Sequence, residues 1–407
     1  MLILVDQAIP SAADLFGRLG DLRRFDGRAI RAADLADADA LIVRSVTRVD
    51  ESLLAGSNVR FVGSLTSGTD HVDLGYLARQ GIRFAAAPGC NARPVAEYVL
   101  TAILLLAHRQ GFDPRSRTLG VIGVGHVGSL VAAWADALGM KVLPHDPPRA
   151  AASTATTNIP QQKNPNSPGR EPGVFSSDCL PPPPSPWTTR SDLQVHSDIV
   201  TLHVPLVRDG PYPTQQMVDA RWLGEMKPGS ILINTARGEV VCEPALIDAR
   251  RGGRLAGLVV DVWAGEPAIN EDLAECCDIA TPHVAGYSVE AKRRAAETIR
   301  ESLAEWAGLS TSTAQSSASP HPAPFSRDPT GSASAASALP VGSRLNAVQP
   351  SADAGRDPWA VFDALKSACP LPDIDARLRS AIAEGRLPER FDALRAAVQS
   401  RQESQLP

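Results

Sequence analysis

Residues 119–130 read LGVIGVGHVGSL, an apolar run broken by Gly123-x-Gly125-x-x-Gly128 before a helical pattern resumes. Glycines at this spacing have separate uses. Gly123 permits a tight turn, Gly125 lets a ligand come against the backbone, and Gly128 lets a helix lie close to the strand. The spacing predicts a strand over 119–122 and a helix over 127–138. A second strand, KVLPHD, ends in Asp146, eighteen residues after Gly128. That order is a βαβ unit suited to a dinucleotide, with the pyrophosphate on the backbone of His126 and Val127 and on the helix N-terminus. Asp146 favours NAD over NADP, because a carboxylate accepts from ribose hydroxyls and repels a 2′-phosphate. Arg149, three residues on, works slightly against that preference.

The same alternation of strand and helix fills most of the chain. LILV, ALIVRS, RFVGSL, DIVTLHV, SILINT, LAGLVVDVW and DIATPHV read as further strands, with helical stretches between many of them. Continuous apolar strands separated by helices predict an α/β fold of parallel sheets covered on both faces. Pro244 and Gly252 mark the start and stop of one helix. Two segments break the pattern. Residues 147–190 hold 11 of the 34 prolines and read as a mostly disordered insertion; 307–350 is rich in Ser, Ala and Pro and reads as a linker. Beyond it, DPWAVFDALKSA and FDALRAAVQS predict two amphipathic helices.

Composition is that of a globular protein of two or three domains, with 43% hydrophobic and 21% charged residues in 407. The net charge of -5 gives no reason to expect nucleic acid or a membrane surface as partner. The longest apolar stretch, 98–107, is too short to span a bilayer and predicts a buried helix. The N-terminal MLILVD lacks the features of a signal peptide. Six cysteines show no metal-ligand spacing, so the expectation is reduced thiols, no metal and a cytoplasmic protein.

Ligands in open α/β sheets sit beyond the carboxyl ends of strands. Three reactive side chains fall there: Arg237 in NTARGEVV, Glu266 in DVWAGEP and His283 in TPHVAGYS. Alone, each has an ordinary structural use. Together they suit hydride transfer at a 2-hydroxy acid. Arginine matches a carboxylate or the C2 oxygen, histidine moves the hydroxyl proton, and glutamate steadies the imidazolium.

GVIGVGHVG, NTARGEVV, DVWAGEP and TPHVAGYS resemble the signature stretches of the D-isomer-specific 2-hydroxyacid dehydrogenases. MLILVDQAIP, LADADALIVRSVTRVDESLL, FVGSLTSGTDHVD, AAPGCNARPVAEYV and RDGPYPT narrow the resemblance to a branch acting on a phosphorylated hydroxy acid of pyridoxal phosphate biosynthesis. The resemblance covers residues 1–148 and 191–306, and is fainter over 351–400. It implies two doubly wound parallel-sheet lobes, a flavodoxin-like substrate lobe and a Rossmann NAD lobe, plus a small α-containing C-terminal unit. The substrate lobe would be 1–93 completed by 284–306, the NAD lobe 94–283, and 351–407 a shortened dimerisation segment. The implied reaction is oxidation of 4-phospho-D-erythronate to 2-oxo-3-hydroxy-4-phosphobutanoate by a homodimer.

By the same resemblance Arg237, Glu266 and His283 are catalytic. Ser45, Thr66 and Tyr287 bind substrate. Asp146, Val204, Thr235, Ala236, Arg237, Asp261 and Gly286 join the glycine loop at the cofactor. Val204 stands where relatives resemble HTPL, so a hydroxyl contact is lost there. For the substrate's phosphate, charge and position nominate Arg44, with Arg93 second. Asp70 or Asp73 is expected to cap a helix. Two rivals remain: a dehydrogenase of 3-phosphoglycerate or glycerate, and a non-catalytic NAD(H)-sensing scaffold.

Overall fold

The computed structural model describes residues 1–156, 187–309, 357–398 and 400–404. The first lobe carries β1 (Leu2–Asp6), α1 (Ala12–Phe16), β2 (Asp21–Phe25), β3 (Ala40–Val43), α2 (Glu51–Leu54), β4 (Phe61–Ser64), α3 (Leu74–Arg79) and β5 (Arg83–Ala86). Its five strands are parallel in the order β2-β1-β3-β4-β5. The strand order reverses between β1 and β3. The crevice at that point is lined by Asp6 and Arg44, the residues at and just beyond the two strand ends, with Arg44 Nε 3.0 Å from Asp6 Oδ2. The strands β2 and β5 carry no legible signal in the sequence. Both are edge strands; β2 is charged and largely exposed, and β5 is a short RFAA without a β-branched residue.

A long helix, α4 (Ala92–Gln110), leads into the second lobe; 94–107 are buried, as expected for 98–107. The second lobe carries β6 (Thr118–Ile122), α5 (His126–Ala137), β7 (Lys141–His145), α6 (Pro147–Thr156), α7 (Arg190–His196), β8 (Ile199–Leu202), α8 (Ala220–Glu225), β9 (Ser230–Asn234), α9 (Glu243–Arg251), β10 (Leu255–Val260), α10 (Glu271–Cys276) and β11 (Ile279–Ala280). These strands are also parallel, in the order β11-β10-β9-β8-β6-β7. Next, α11 (Val289–Trp306) returns to the first lobe, where Ile299 and Leu303 share a core with Ile3, Val5 and Phe61.

The disordered insertion expected from 147 begins too early, because 147–156 form α6. Pro147 and Pro148 fit a first helical turn, whose N–H groups have no partner anyway. Asp146 caps that turn, its Oδ1 accepting from Arg149 N at 3.0 Å. At the other end Trp187 packs on the core and Thr188 N donates to Pro144 O. Residues 157–186 and almost all of the expected linker lie outside the described residues.

The C-terminal unit has three helices rather than two: α12 (Pro358–Ala368), α13 (Leu371–Ala383) and α14 (Leu387–Ala397). Val361 and Leu365 of α12 join the core around α4, while Leu378 and Phe391 join the core of the second sheet. Asp375 of α13 accepts from Ala280 N at 2.8 Å, so this unit caps the edge strand β11. The tail is anchored by a buried pair. Arg401, 3% exposed, lies 3.0 Å from the fully buried Glu97, and Glu97 also accepts from Ser404 N and Oγ. Among the described residues no helix is long and apolar enough to cross a membrane.

Removing one partner of a buried pair leaves the other uncompensated, at a cost of about 3–5 kcal/mol. Arg401→Ala is expected to lower Tm and expose the tail to limited proteolysis. The double variant Glu97→Gln/Arg401→Ala should lose less than the sum of the two single variants.

Candidate active site

The glycine loop sits where the second sheet reverses its strand order, between β6 and β8. Gly123 has φ 84°, and a Cβ there would meet His203 backbone at 2.7 Å. A Cβ on Gly128 would stand 1.9 Å from Gly123 O, so only glycine lets α5 start this close to the strand. Gly125 differs: a Cβ there would meet nothing within 4 Å. It borders open space at the N-terminus of α5, where His126 and Val127 present unpaired N–H groups. A pyrophosphate fits that cradle.

Asp146 Oδ2 accepts from Val124 N at 2.8 Å while its Oδ1 caps α6. Each oxygen keeps a lone pair for a ribose hydroxyl. Arg149 bends back to donate to Val124 O and lies 5.8 Å over Trp187. Burial, and secondarily the Arg149 charge, holds the His126 imidazole below its usual pKa.

After β9, Asn234 staples the next turn. Its Oδ1 accepts from Ala236 N and its Nδ2 donates to Arg237 O, both at 3.0 Å. Thr235 Oγ1 lies 3.3 Å from His203 Nδ1. Loss of solvent pushes His203 down to about 3, so it is neutral. The Arg237 guanidinium donates to Ala236 O at 2.7 Å and reaches across the cleft to Asp70 Oδ2 at 2.8 Å. Gly68 makes the room: a Cβ there would stand 2.0 Å from Arg237 Nη2. Asp73, not Asp70, is the cap, accepting from Tyr76 N.

Arg237 and Glu266 lie on neighbouring loops that touch through Gly238, where a Cβ would stand 2.0 Å from Trp263 backbone. Glu266 Oε1 accepts from Trp263 N at 3.0 Å. His283 Nδ1 lies 2.9 Å from Glu266 Oε2 and 3.1 Å from Oε1. The carboxylate can only accept, so Nδ1 carries the hydrogen and Nε2 is left as the free base. Burial pushes the Glu266 carboxyl up, but the bond and charge of His283 outweigh it, with help from Trp263 N and Arg395, and the net shift is down.

His283 has φ 56°, a conformation costly for a non-glycine residue. It is held there from behind. Asp261, fully buried at the end of β10, accepts from Thr281 Oγ1 at 2.6 Å, Val284 N at 2.8 Å and Ala285 N at 3.0 Å, while its carbonyl takes His283 N at 2.7 Å. Gly286, three residues on, lies against Asn91, whose Nδ2 a Cβ would meet at 2.7 Å.

Of the expected substrate residues, Ser45 and Thr66 lie just beyond strand ends of the first sheet, and Tyr287 precedes α11. Ser45 is exposed beyond β3, next to Arg44. Thr66 follows β4; its hydroxyl donates to Gly68 O at 2.9 Å and meets Ser64 Oγ at 2.8 Å. Ser64 in turn meets His71 Nε2 at 2.9 Å. Burial drives His71 from 6.5 down to about 4, with Asp70 raising it and Arg237 lowering it less. Tyr287 lies near Lys292 and Arg395. Arg93 bonds Glu97 one turn along α4 and Ser404 O of the C-terminal tail. Val204 packs its side chain toward Gly123. Asn234, Trp263, Lys292 and Arg395 do not stand out in the sequence, since nothing local marks a residue that acts through tertiary contact. Among the described residues no cluster of His, Cys, Asp and Glu could hold a metal.

The family model described as D-isomer specific 2-hydroxyacid dehydrogenase, NAD binding domain, matches residues 105–166 and 185–285. An Escherichia coli protein named erythronate-4-phosphate dehydrogenase is 45% identical over 308 residues, 76% of this chain and 74% of that one. The chain belongs to the erythronate-4-phosphate dehydrogenase branch of the D-isomer specific 2-hydroxyacid dehydrogenases. A relative of the same name from Shigella boydii matches equally well. Among solved structures, D-lactate dehydrogenase from Aquifex aeolicus, complexed with NAD and lactic acid, superposes with TM-score 0.58 at 25% identity, covering 75% of this chain and 96% of that one. A protein from Thermus thermophilus gives 0.60 at 28%, covering 76% and 98%. Two parallel-sheet lobes and NAD as cofactor are thus as expected, and the chain is an NAD-dependent dehydrogenase.

Gly68→Ala should leave the fold intact, since the clash is with a mobile side-chain end, but displace Arg237. A 1 Å misplacement costs up to about 100-fold, so kcat/KM is expected to drop about 10–100-fold with NADH affinity retained by fluorescence titration. His71 predicts an acid-labile fold. Its depressed pKa means stability is fully present above 6.5 and is lost as pH falls toward 4, about 2 kcal/mol by pH 5. His71→Gln should show a smaller fall in Tm between pH 7 and pH 5 than wild type.

Proposed function

We propose that the chain oxidises 4-phospho-D-erythronate to 2-oxo-3-hydroxy-4-phosphobutanoate, a step toward pyridoxal 5′-phosphate. The observation that carries this reading is the His283–Glu266 pair, 2.9 Å apart, beside Arg237 on the loop that touches it. The names of the relatives supply the substrate. Arg237 offers its fork to the substrate carboxylate or C2 oxygen. His283 Nε2 takes the C2 hydroxyl proton, and Glu266 holds the Nδ1 hydrogen and balances the imidazolium. NAD, when bound at the glycine loop, supplies the hydride acceptor. In the reducing direction the protonated His283 returns its proton to the C2 oxygen.

Asp70 is a positioning residue for Arg237, and Asp261 for His283. Ser45, Thr66 and Tyr287 hold the substrate's hydroxyls and Arg44 faces its phosphate. Asp146, Thr235, Ala236, Val204 and Gly286 line the cofactor side. A cytoplasmic homodimer associating through 351–407 completes the reading, supported by the family resemblance of that segment and checked by light scattering.

The decisive assay is NAD reduction by purified protein with 4-phospho-D-erythronate, with a 2-oxo acid present to reoxidise tightly held NADH. Glycerate and 3-phosphoglycerate serve as competing substrates. Turnover should favour phosphoerythronate. His283→Ala should lose about 10²–10⁴-fold in kcat, the usual worth of a positioned acid/base, while still binding NADH. Binding without turnover on any substrate would replace this reading with that of a nucleotide-sensing scaffold.

A further inference from the structure

Two cations from distant parts of the chain converge on Tyr287, four residues beyond His283. Lys292, on the first turn of α11, places Nζ 5.5 Å from the ring centroid. Arg395, on α14 of the C-terminal unit, places its guanidinium carbon 5.5 Å from the same centroid. The two charges are therefore no more than 11 Å apart, the sum of those distances. A third cation, Arg44, acts on Lys292: burial pushes Lys292 down to about 8, and the Arg44 charge pushes in the same direction.

Of these charges only Lys292 stands outside an ion pair among the described residues, while Arg44 and Arg395 are paired but each keep an unsatisfied Nε donor. Arg395 is only 13% exposed, and its buried Nε has no hydrogen-bond partner. Its nearest acid, Asp392, is 3.6 Å from Nη1 and also takes Arg28. Arg44 faces Asp6 at 3.0 Å in a geometry that makes no hydrogen bond. Cations held together in partial burial destabilise one another unless an anion joins them. Tyr287 lies four residues beyond His283, and the Arg395 charge helps hold the Glu266 carboxyl down. The substrate read above ends in a phosphate dianion a few bonds from its reacting C2.

We propose that Lys292 and Arg395, with Arg44, bind the substrate's phosphate monoester around Tyr287, and that the C-terminal unit thereby supplies a residue to the active site. This rests on the reading of the substrate as a phosphorylated 2-hydroxy acid. It explains why α14 lies beside the catalytic loop. Arg28 of the first lobe holds Asp392, one turn before Arg395, so the C-terminal helix touches both walls of the cleft.

The test compares wild type with Lys292→Gln, Arg395→Gln and Arg395→Lys. Each charged hydrogen bond to phosphate is worth a factor of about 10–100. The ratio of kcat/KM on 4-phospho-D-erythronate to that on D-erythronate should fall by that factor in both glutamine variants, through KM, and recover in part in Arg395→Lys. Inorganic phosphate should inhibit wild type competitively against the phosphorylated substrate and inhibit the glutamine variants more weakly. NADH fluorescence titration checks that the cleft is intact in each variant. An unchanged ratio and unchanged phosphate inhibition, in variants that bind NADH, would overturn the assignment. A wild-type enzyme that turns over D-erythronate as well as its phosphate ester would instead overturn the substrate reading. Should Arg395→Gln fail to bind NADH, Lys292→Gln alone decides between the outcomes.

Discussion

One buried carboxylate organises the catalytic loop. Asp261 stands at the carboxyl end of β10, and its two oxygens take Thr281 Oγ1, Val284 N and Ala285 N. Burial alone raises the pKa of such a group, and these bonds, with the His283 charge, only partly offset it. The bonds cinch 281–285 into a turn tight enough to force His283 to positive φ. A strained residue persists only where its surroundings over-determine it. Here they do, because the Asp261 carbonyl also takes His283 N, and Tyr98 holds Thr281 Oγ1 at 2.6 Å. The strain aims Nδ1 at Glu266 and leaves Nε2 outside that bond.

The rest of the cleft follows from close approach. Gly68, Gly128 and Gly238 each occupy a point where a Cβ would stand within 2.0 Å of another group: Arg237, the backbone of Gly123 and the backbone of Trp263. A loop that carries a catalytic group can approach another loop this closely only if one residue has no side chain. Hence Arg237 and Glu266 sit on touching loops from adjacent strands β9 and β10. The Asp70–Arg237 pair then joins this half of the site to the opposite lobe. With side chains 42% and 31% exposed, that pair is weak as a source of stability. Its value lies in orienting the guanidinium fork.

Much of this is legible in the sequence because the signals are local. A glycine loop between a strand and a helix, and an acid ending the next strand, are fixed by backbone geometry within some thirty residues. Reactive residues after β9, β10 and β11 can likewise be placed at strand ends. What escapes a sequence reading is set by distant contact. The edge strand β2 lacks an apolar run because it is charged and largely exposed, and β5, four residues of RFAA, carries no β-branched residue to mark it as a strand. The helix α6 hides behind its prolines, which suit a first turn as well as they suit a loop. The middle helix of the C-terminal unit, α13, goes unread because no capping side chain marks its start, which lies between Pro370 and Pro372. Arg93 and Arg44 look alike in sequence, and only the position of Glu97 and the tail separates them.

The C-terminal unit ties these levels together. Asp375 completes the hydrogen bonding of β11, the short strand that leads directly into the histidine turn. Arg401 bonds the carbonyl of Ala285 within that turn and pairs with Glu97 on α4. Arg395 reaches the ring of Tyr287 at its far end. Three side chains of one appended segment therefore touch the strand before His283, the turn just after it and the tyrosine beyond. A segment that only joined two copies of the chain would have no need to contact the histidine turn at three separate points. Each of the three anchors acts at a single point of low exposure rather than over a broad surface.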